Sequence, residues 1–308
     1  MNDKENIARP FLKWVGGKTQ LLNELEKRLP DKTRKTGVIE CYIEPFVGGG
    51  ALFFYLQKKY KIRKAYLIDN NQDLILTYKV IKKEPEKLIA ALEKLQEDYL
   101  RKNRIDRQKQ YYHIRDEYNS QMGTINYRQF SSAWIKRASY LIMLNKTCFN
   151  GLFRINSKGE FNVPAGKYKN PMICDSGNLR NVSKALAKTH IVCADYSKCR
   201  DFVGMGSLVY FDPPYRPINN TSCFTAYTKD GFYDEEQVSL AKLSKELADK
   251  GAFVLLSNSD PTNENAEDNF FDRIYRGFNI KRVLASRMIN CNGAKRGQIK
   301  ELIINNYQ

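Results

Sequence analysis

Histidine is nearly absent: the 308 residues hold two, His113 and His190. A catalyst that moves protons through imidazole, or an imidazole cage around a metal, has little to work with, and both read as surface or core residues. The seven cysteines (Cys41, Cys148, Cys174, Cys193, Cys199, Cys223, Cys291) are scattered, odd in number and form no CxxC pair. They suggest neither a disulfide framework nor a zinc site, but reduced thiols in a cytoplasmic protein. No apolar run approaches the roughly 20 residues of a membrane span. The opening MNDKENIARP is charged and lacks the apolar centre of a signal peptide, so a cytoplasmic location without membrane contact is expected. Sequence repeats and low-complexity tracts are also missing.

Acidic residues are in short supply. There are 34 against 51 lysines and arginines, a net charge of +17. Such an excess favours a polyanionic partner, because neutralising phosphates releases counterions; a solvated basic surface on a soluble enzyme is the plain alternative. Hydrophobic residues make up 42%, which is ordinary for a folded protein. At this length the chain can bury a full core and carry a second, smaller module.

Near the start lies PFLKWVGGKTQLL, whose Gly17-Lys18-Thr19 looks like the end of a phosphate-binding P-loop. That loop needs a glycine five residues earlier, so that its backbone can wrap the phosphates, and it follows a buried strand. Here the position holds Leu12, and only a short charged segment precedes it. A nucleoside triphosphatase is therefore not the expectation.

GVIECYIEPF (37–46) and KAYLIDN (64–70) read as buried strands, with a helix-like ALFFYLQKKY (51–60) between them. From about 76 to 189 the character changes. A long charged segment, EPEKLIAALEKLQEDYLRKNRIDRQKQYYHIRDEYNSQ, has helical apolar spacing, and FSSAWIKRASYLIMLNKT is a second helix candidate. An irregular stretch, CFNGLFRINSKGEFNVPAGKYKNP, follows. Strand signals return after 190 in HIVCAD, SLVYFDPPY, AFVLLSNS, IKRVLAS and ELIINNY, with the helix signal DEEQVSLAKLSKELADKG ending on Gly251. Strands alternating with helices predict an α/β sheet covered on both faces, interrupted by an inserted and mainly helical module.

Two motifs carry chemistry. In Glu44-Pro45-Phe46-Val47-Gly48-Gly49-Gly50 a strand turns into a helix, and glycines there let a ligand approach the backbone at a helix N-terminus. The third glycine of a dinucleotide fingerprint would fall at Phe53, which argues against NAD. Asp69 ends the next strand 21 residues after Gly48, where a carboxylate can accept hydrogen bonds from ribose hydroxyls; a glycine turn with a helix-capping aspartate would look the same. In the second motif, Asp212-Pro213-Pro214-Tyr215, two prolines stop an apolar strand at its carboxyl end, where ligands sit in open α/β sheets. A carboxylate, the Pro213 carbonyl and an aromatic ring together suit a planar exocyclic amine, although an isolated DPPY can be a simple turn.

The chain resembles the Dam family of N6-adenine DNA methyltransferases, especially its DpnM-type members, nearly end to end. The resemblance rests on PFLKWVGGK, EPFVGGGALFF, LIDNNQDLI, NGLFRINSKGEFNVPAGKYKNP, VYFDPPY, FTAYTKDGF, VLLSNS and NGAKRG, in the order of the family's α group. It implies a Rossmann-like S-adenosylmethionine-dependent sheet in residues 1–75 and 190–308, with a target-recognition insert in 76–189. It assigns the opening motif to S-adenosylmethionine rather than a triphosphate. By resemblance Trp14 and Lys18 contact the cofactor, Phe46, Gly48 and Gly50 flank it, Asp69 holds its ribose, and Asp195 faces its adenine. Asp212 touches both cofactor and target, and with Pro213 and Tyr215 it carries the chemistry on a flipped adenine.

The same resemblance assigns DNA contacts to Phe149, Asn150, Leu152, Arg154, Pro164, Lys167 and Tyr168, with Arg154 on a guanine edge. Lys295, Arg296 and Lys300 are expected at phosphates. The implied substrate is double-stranded DNA at GATC, with a longer site such as GATATC as the alternative, and the implied form is a monomer or weak dimer. A methyltransferase for another amine (cytosine N4, RNA or a protein amide) and a catalytically silent DNA-binding protein are the rival classes.

Overall fold

A computed structural model describes residues 7–14, 20–216, 232–286 and 298–307. The chain runs through α1 (Leu22–Lys27), α2 (Asp31–Thr36), β1 (Val38–Glu44), α3 (Ala51–Leu56), β2 (Lys61–Asp69), α4 (Gln72–Lys83), α5 (Pro85–Arg101), α6 (Arg104–Ser120), α7 (Ser132–Thr147) and α8 (Ser176–Ala185). It continues with β3 (Thr189–Cys193), β4 (Leu208–Phe211), α9 (Asp234–Asp249), β5 (Phe253–Ser259), α10 (Phe270–Ile274), β6 (Asn279–Ser286) and β7 (Gln298–Asn305). The strands form one seven-stranded sheet in the order β3-β2-β1-β4-β5-β7-β6. No described helix is long and apolar enough to cross a membrane.

The chain divides into two compact units. One comprises Lys18–Val47, Tyr55–Ile68 and Ala194–Gln308. Within it β1 pairs parallel with β2 (Glu44 beside Leu67) and with β4 (Ile43 beside Val209), and β4 pairs parallel with β5 (Phe211 beside Leu256). The antiparallel β6–β7 pair completes the edge, with Leu256 of β5 beside Ile304 of β7. All four residues of β4 are buried. That explains the uninterrupted apolar run LVYF, since a parallel strand loses both faces to the core. Each such side chain contributes about 1.5–3 kcal/mol of transfer free energy. β4 stops at Phe211 because Pro213 has no N–H to continue the ladder. The chain passes from β1 to β2 on one side and later returns to β4 on the other side of β1, so the strand order reverses at the β1 and β4 ends, where open α/β sheets bind ligands.

The other unit comprises Met1–Gly17, Gly48–Phe54 and Asp69–Cys193. Helix α7 is its centre and packs on α4, α5 and α6. Its run of Ala138, Leu141, Ile142, Met143 and Leu144 is buried throughout. The long charged segment expected to be helical forms two helices, because Asn103 caps α6 by accepting the Asp106 N–H at 3.1 Å. Arg137 of α7 is 1% exposed and tolerated there because its charge is fully paired. It bonds Asp73 of α4 (Nη2 to Oδ2, 2.7 Å) and the Tyr118 carbonyl (2.8 Å). The Tyr118 and Tyr127 hydroxyls donate to the same carboxylate at 2.7 Å.

Candidate active site

The glycine turn after β1 takes its shape from two positive φ angles, Gly48 at +46° and Gly50 at +67°. A Cβ on Gly48 would lie 2.7 Å from Cδ1 of Trp14, and one on Gly50 would lie 2.7 Å from the Tyr78 hydroxyl. The turn therefore needs glycine for close packing as well as for backbone conformation. The Tyr78 hydroxyl donates to the Gly48 carbonyl at 3.1 Å. The Gly48 N–H donates to Asp69 Oδ2 at 3.0 Å, and the Asn71 N–H donates to Asp69 Oδ1 at 2.9 Å.

Asn71, not Asp69, caps α4, accepting from the Asp73 and Leu74 N–H groups. Asp69 instead joins the end of β2 to the glycine turn. Burial raises its pKa above the ordinary carboxylate value, while the N–H donors of Asn71, Gly48 and Asn70 pull it back down. A carboxylate offers about four acceptor sites, so these backbone bonds still leave room for a hydroxyl donor. Trp14 packs on this turn and stacks on Phe153, with ring centroids 5.1 Å apart and planes at 20°. Trp14, Gly48, Gly50 and Asp69 are thus brought together; Lys18 lies outside the described residues.

The same unit carries the loop expected to read DNA. Phe149 is 52% exposed, and its N–H donates to the Pro164 carbonyl at 2.8 Å. Asn150 has φ +56°, unusual for a residue with a side chain, and Gly151 follows at +65°. A Cβ on Gly151 would meet Cδ of Lys13 at 2.4 Å. The ammonium of Lys13 sits 4.9 Å above the ring of Tyr168. The Leu152 carbonyl accepts from the Cys148 thiol. Residues 154–162 form a small hairpin in which Ile155 pairs with Phe161 and the Asn162 N–H donates to the Arg154 carbonyl at 3.1 Å. The Arg154 guanidinium is exposed, and its Nε donates to Asn162 Oδ1 at 2.8 Å. Pro164 and Lys167 are exposed too.

In the sheet unit, four consecutive residues beyond β4 are each anchored. Asp212 accepts from Ser257 Oγ at 3.0 Å, and Ser257 shares a 2.8 Å hydrogen bond with the Tyr210 hydroxyl. Pro213 is buried. The Pro214 carbonyl accepts from Gln237 Nε2 at 3.2 Å. The Tyr215 hydroxyl lies 2.9 and 2.8 Å from the two oxygens of Glu301. Arg216 then forks onto Asp234 (2.6 and 2.9 Å).

Phe46 stacks on Tyr196 at 5.1 Å and meets Phe232 edge-on at 5.7 Å. Asp195 is exposed and caps the short turn Tyr196–Asp201 by accepting the Ser197 N–H at 2.9 Å. Beside this site Tyr42 donates to the buried Glu44 at 3.0 Å; burial first, then the Glu44 charge, push the Tyr42 hydroxyl well above its ordinary pKa. Lys300 is exposed, and Lys295 and Arg296 lie outside the described residues.

The arrangement can hold a planar amine against a fixed carboxylate and present an aromatic face nearby. No group of three or more His, Cys, Asp or Glu placed to hold a metal occurs among the described residues. Several residues of these clusters were not picked out from sequence: Tyr78, Asn145 (whose Nδ2 donates to the Gly151 carbonyl at 3.1 Å), Phe153, Tyr196, Phe232, Ser257 and Glu301. For two of them a signal existed. Asn145 interrupts the apolar helical run LIMLNK, and Glu301 opens the apolar strand ELIIN.

Residues 14–289 match the family described as D12 class N6 adenine-specific DNA methyltransferase. The type II methyltransferase M.MjaIII of Methanocaldococcus jannaschii is 49% identical over 301 residues, covering 97% of this chain and 99% of that protein. The type II methyltransferase M1.LlaDCHI of Lactococcus lactis subsp. cremoris is 38% identical, covering 97% and 95%. The DNA adenine methylase of Escherichia coli K12 is 31% identical, covering 96% and 94%.

Proposed function

Because the chain belongs to the D12 class N6 adenine-specific DNA methyltransferases, we propose that it moves a methyl group from S-adenosylmethionine to adenine N6 within GATC in double-stranded DNA. The observation that carries this reading is the anchoring of the DPPY motif. Its carboxylate is oriented by Ser257 and its ring is held by Glu301, at the carboxyl end of a buried parallel strand. The choice of GATC is supported by the resemblance of NGLFRINSKGEFNVPAGKYKNP to Dam-type loops. Residues 76–189 act as the recognition segment in this reading, and 1–75 with 190–308 as the catalytic part.

The target adenine leaves the duplex stack, since its N6 is otherwise out of reach. Asp212 and the Pro213 carbonyl accept the two N–H bonds of the amine, which directs its lone pair out of the ring plane. Tyr215 stacks on the base. S-adenosylmethionine, when bound, supplies a methyl group on an electrophilic sulfonium. As the N–C bond would form, the methyl–sulfonium bond would break and leave a neutral thioether; positive charge would grow on N6, and the Asp212 carboxylate would stabilise it until one amine proton is lost to water. Asp69 accepts the ribose hydroxyls, Gly48 and Gly50 give the backbone its close approach, and Phe46 with Tyr196 offers an aromatic face for the nucleoside. Trp14, Lys18 and Asp195 complete the cofactor contacts.

Expression in a host without adenine methylation, followed by sequencing that detects N6-methyladenine, tests this reading. GATC should be methylated by the wild type and bare with Asp212→Ala, while DNA binding at low salt persists in the variant. Methylation confined to GATATC would change the site and leave the chemistry intact. Cytosine methylation, or near-normal turnover by Asp212→Ala, would overturn the assignment.

A further inference from the structure

The ring of Tyr215 stands on a loop that two prolines exclude from the sheet ladder, so its orientation depends on what its ends touch. Its backbone neighbours are fixed by Gln237 and Asp234. The far end of the ring is held by the carboxylate of Glu301, with both oxygens in reach of the hydroxyl at 2.9 and 2.8 Å. Glu301 is 5% exposed and sits mid-sheet in β7, between Ser259 of β5 and Val283 of β6. An ionisable side chain at such a position is costly, and an apolar residue would pack there more cheaply. A neutral acceptor would hold the hydroxyl as well. A carboxylate does one thing more: accepting a hydrogen bond while charged raises the electron density of the phenol ring. An electron-rich ring face attracts a partner that is gaining positive charge.

We propose that Glu301 is a positioning residue for methyl transfer: it fixes the Tyr215 ring against the target base and makes that ring a better partner for a purine acquiring positive charge. This rests on the function proposed above. The pair acts through the hydrogen bond that the Tyr215 hydroxyl donates to the carboxylate, and no covalent bond in it is made or broken.

Single-turnover methylation of a GATC duplex at saturating cofactor and DNA is the test, in the wild type, Tyr215→Phe, Glu301→Gln, Glu301→Ala and the double variant Tyr215→Phe/Glu301→Gln. Tyr215→Phe keeps the ring and removes its tether, and it should lower the rate about tenfold, in the range of coupling between contacting residues. Glu301→Gln keeps an acceptor and loses the charge, so it should fall between wild type and Glu301→Ala. In the Tyr215→Phe background Glu301→Gln should cost nothing further. A merely structural Glu301 would lower the rate equally in both backgrounds, and that additivity overturns the proposal. So does a Tyr215→Phe enzyme at the wild-type rate, a result that decides the matter even if Glu301→Ala does not fold. A wild type that leaves adenine unmethylated would instead sink the proposed function.

Discussion

Asn145 and Lys13, 132 residues apart in sequence, are joined by two hydrogen bonds. The Asn145 Oδ1 accepts the Lys13 N–H at 2.8 Å, and its Nδ2 donates to the Lys13 carbonyl at 2.8 Å and to the Gly151 carbonyl at 3.1 Å. The amide is fully buried. One side chain therefore ties the segment leading into Trp14 to the loop expected to read DNA.

Asn145→Ala would leave the Lys13 N–H and two carbonyls without this partner. An unsatisfied buried group costs about 1–3 kcal/mol, so a loss of roughly 3 kcal/mol is expected, with partial hydration of the exposed flank limiting the sum. Asn145→Asp keeps the acceptor but turns the donor into a charge facing two carbonyls, and it should destabilise as much. Urea unfolding midpoints measure both. The loop and the Trp14 segment should also lose protection from hydrogen exchange together. A midpoint shift below about 0.5 kcal/mol, the usual scatter of surface substitutions, would show that the bonds are replaced by water.

The strands were legible because burial writes itself into composition. LVYF of β4 is a run that only a doubly covered strand needs, and β1 shows the same at its buried end, Tyr42 to Glu44, after an exposed Glu40. The chemical motifs were legible for a related reason: glycine at Gly48 and proline at Pro213 do what no other residue can. What holds the motifs was not legible. Tyr215 meets Glu301 across 86 residues, and nothing local in ELIIN says which aromatic its carboxylate will find. Phe46 and Tyr196 form a stack only because the fold brings two strand ends together. The break at Asn103 was hidden by apolar spacing that continues on both sides of it, and only the capping geometry marks it.

Cofactor affinity should depend on pH through Asp69. Burial raises its folded pKa above the unfolded value. Between the two, the folded chain holds a proton that the unfolded chain has lost, so this group's contribution to stability falls as pH rises through that window. Binding runs the other way. Ribose hydroxyls need an ionised acceptor, so S-adenosylmethionine affinity should weaken as pH drops through the raised value, before ordinary carboxylates at about 4 begin to titrate. Calorimetric titration from about pH 4.5 to 8 is the measurement, with Asp69→Asn as control. The variant should bind more weakly at neutral pH and lose the slope in that window. An identical slope in Asp69→Asn would assign the titration to another group.

Arg154 should determine which base is read at one position. Its hairpin fixes the backbone through the Asn162 N–H, and the Asn162 side chain braces Nε at 2.8 Å. A guanidinium held at Nε is aimed rather than free to swing, and a guanine edge presents O6 and N7 as a matched pair of acceptors in the major groove. Such a bidentate contact discriminates by about 1–3 kcal/mol, roughly ten- to a hundredfold. Arg154→Ala should therefore lower methylation of GATC sharply and narrow its margin over duplexes altered at the guanine, with little change on the altered duplexes themselves. Asn162→Ala, which removes the brace and keeps the charge, should produce a smaller loss of the same kind. Lys295→Ala offers the contrast: a phosphate contact would weaken all sequences alike and flatten the salt dependence. Methylation rates on matched and guanine-substituted duplexes at several salt concentrations separate these behaviours. If Arg154→Ala lowers every duplex by the same factor, the guanidinium belongs on the backbone and the hairpin reads no base.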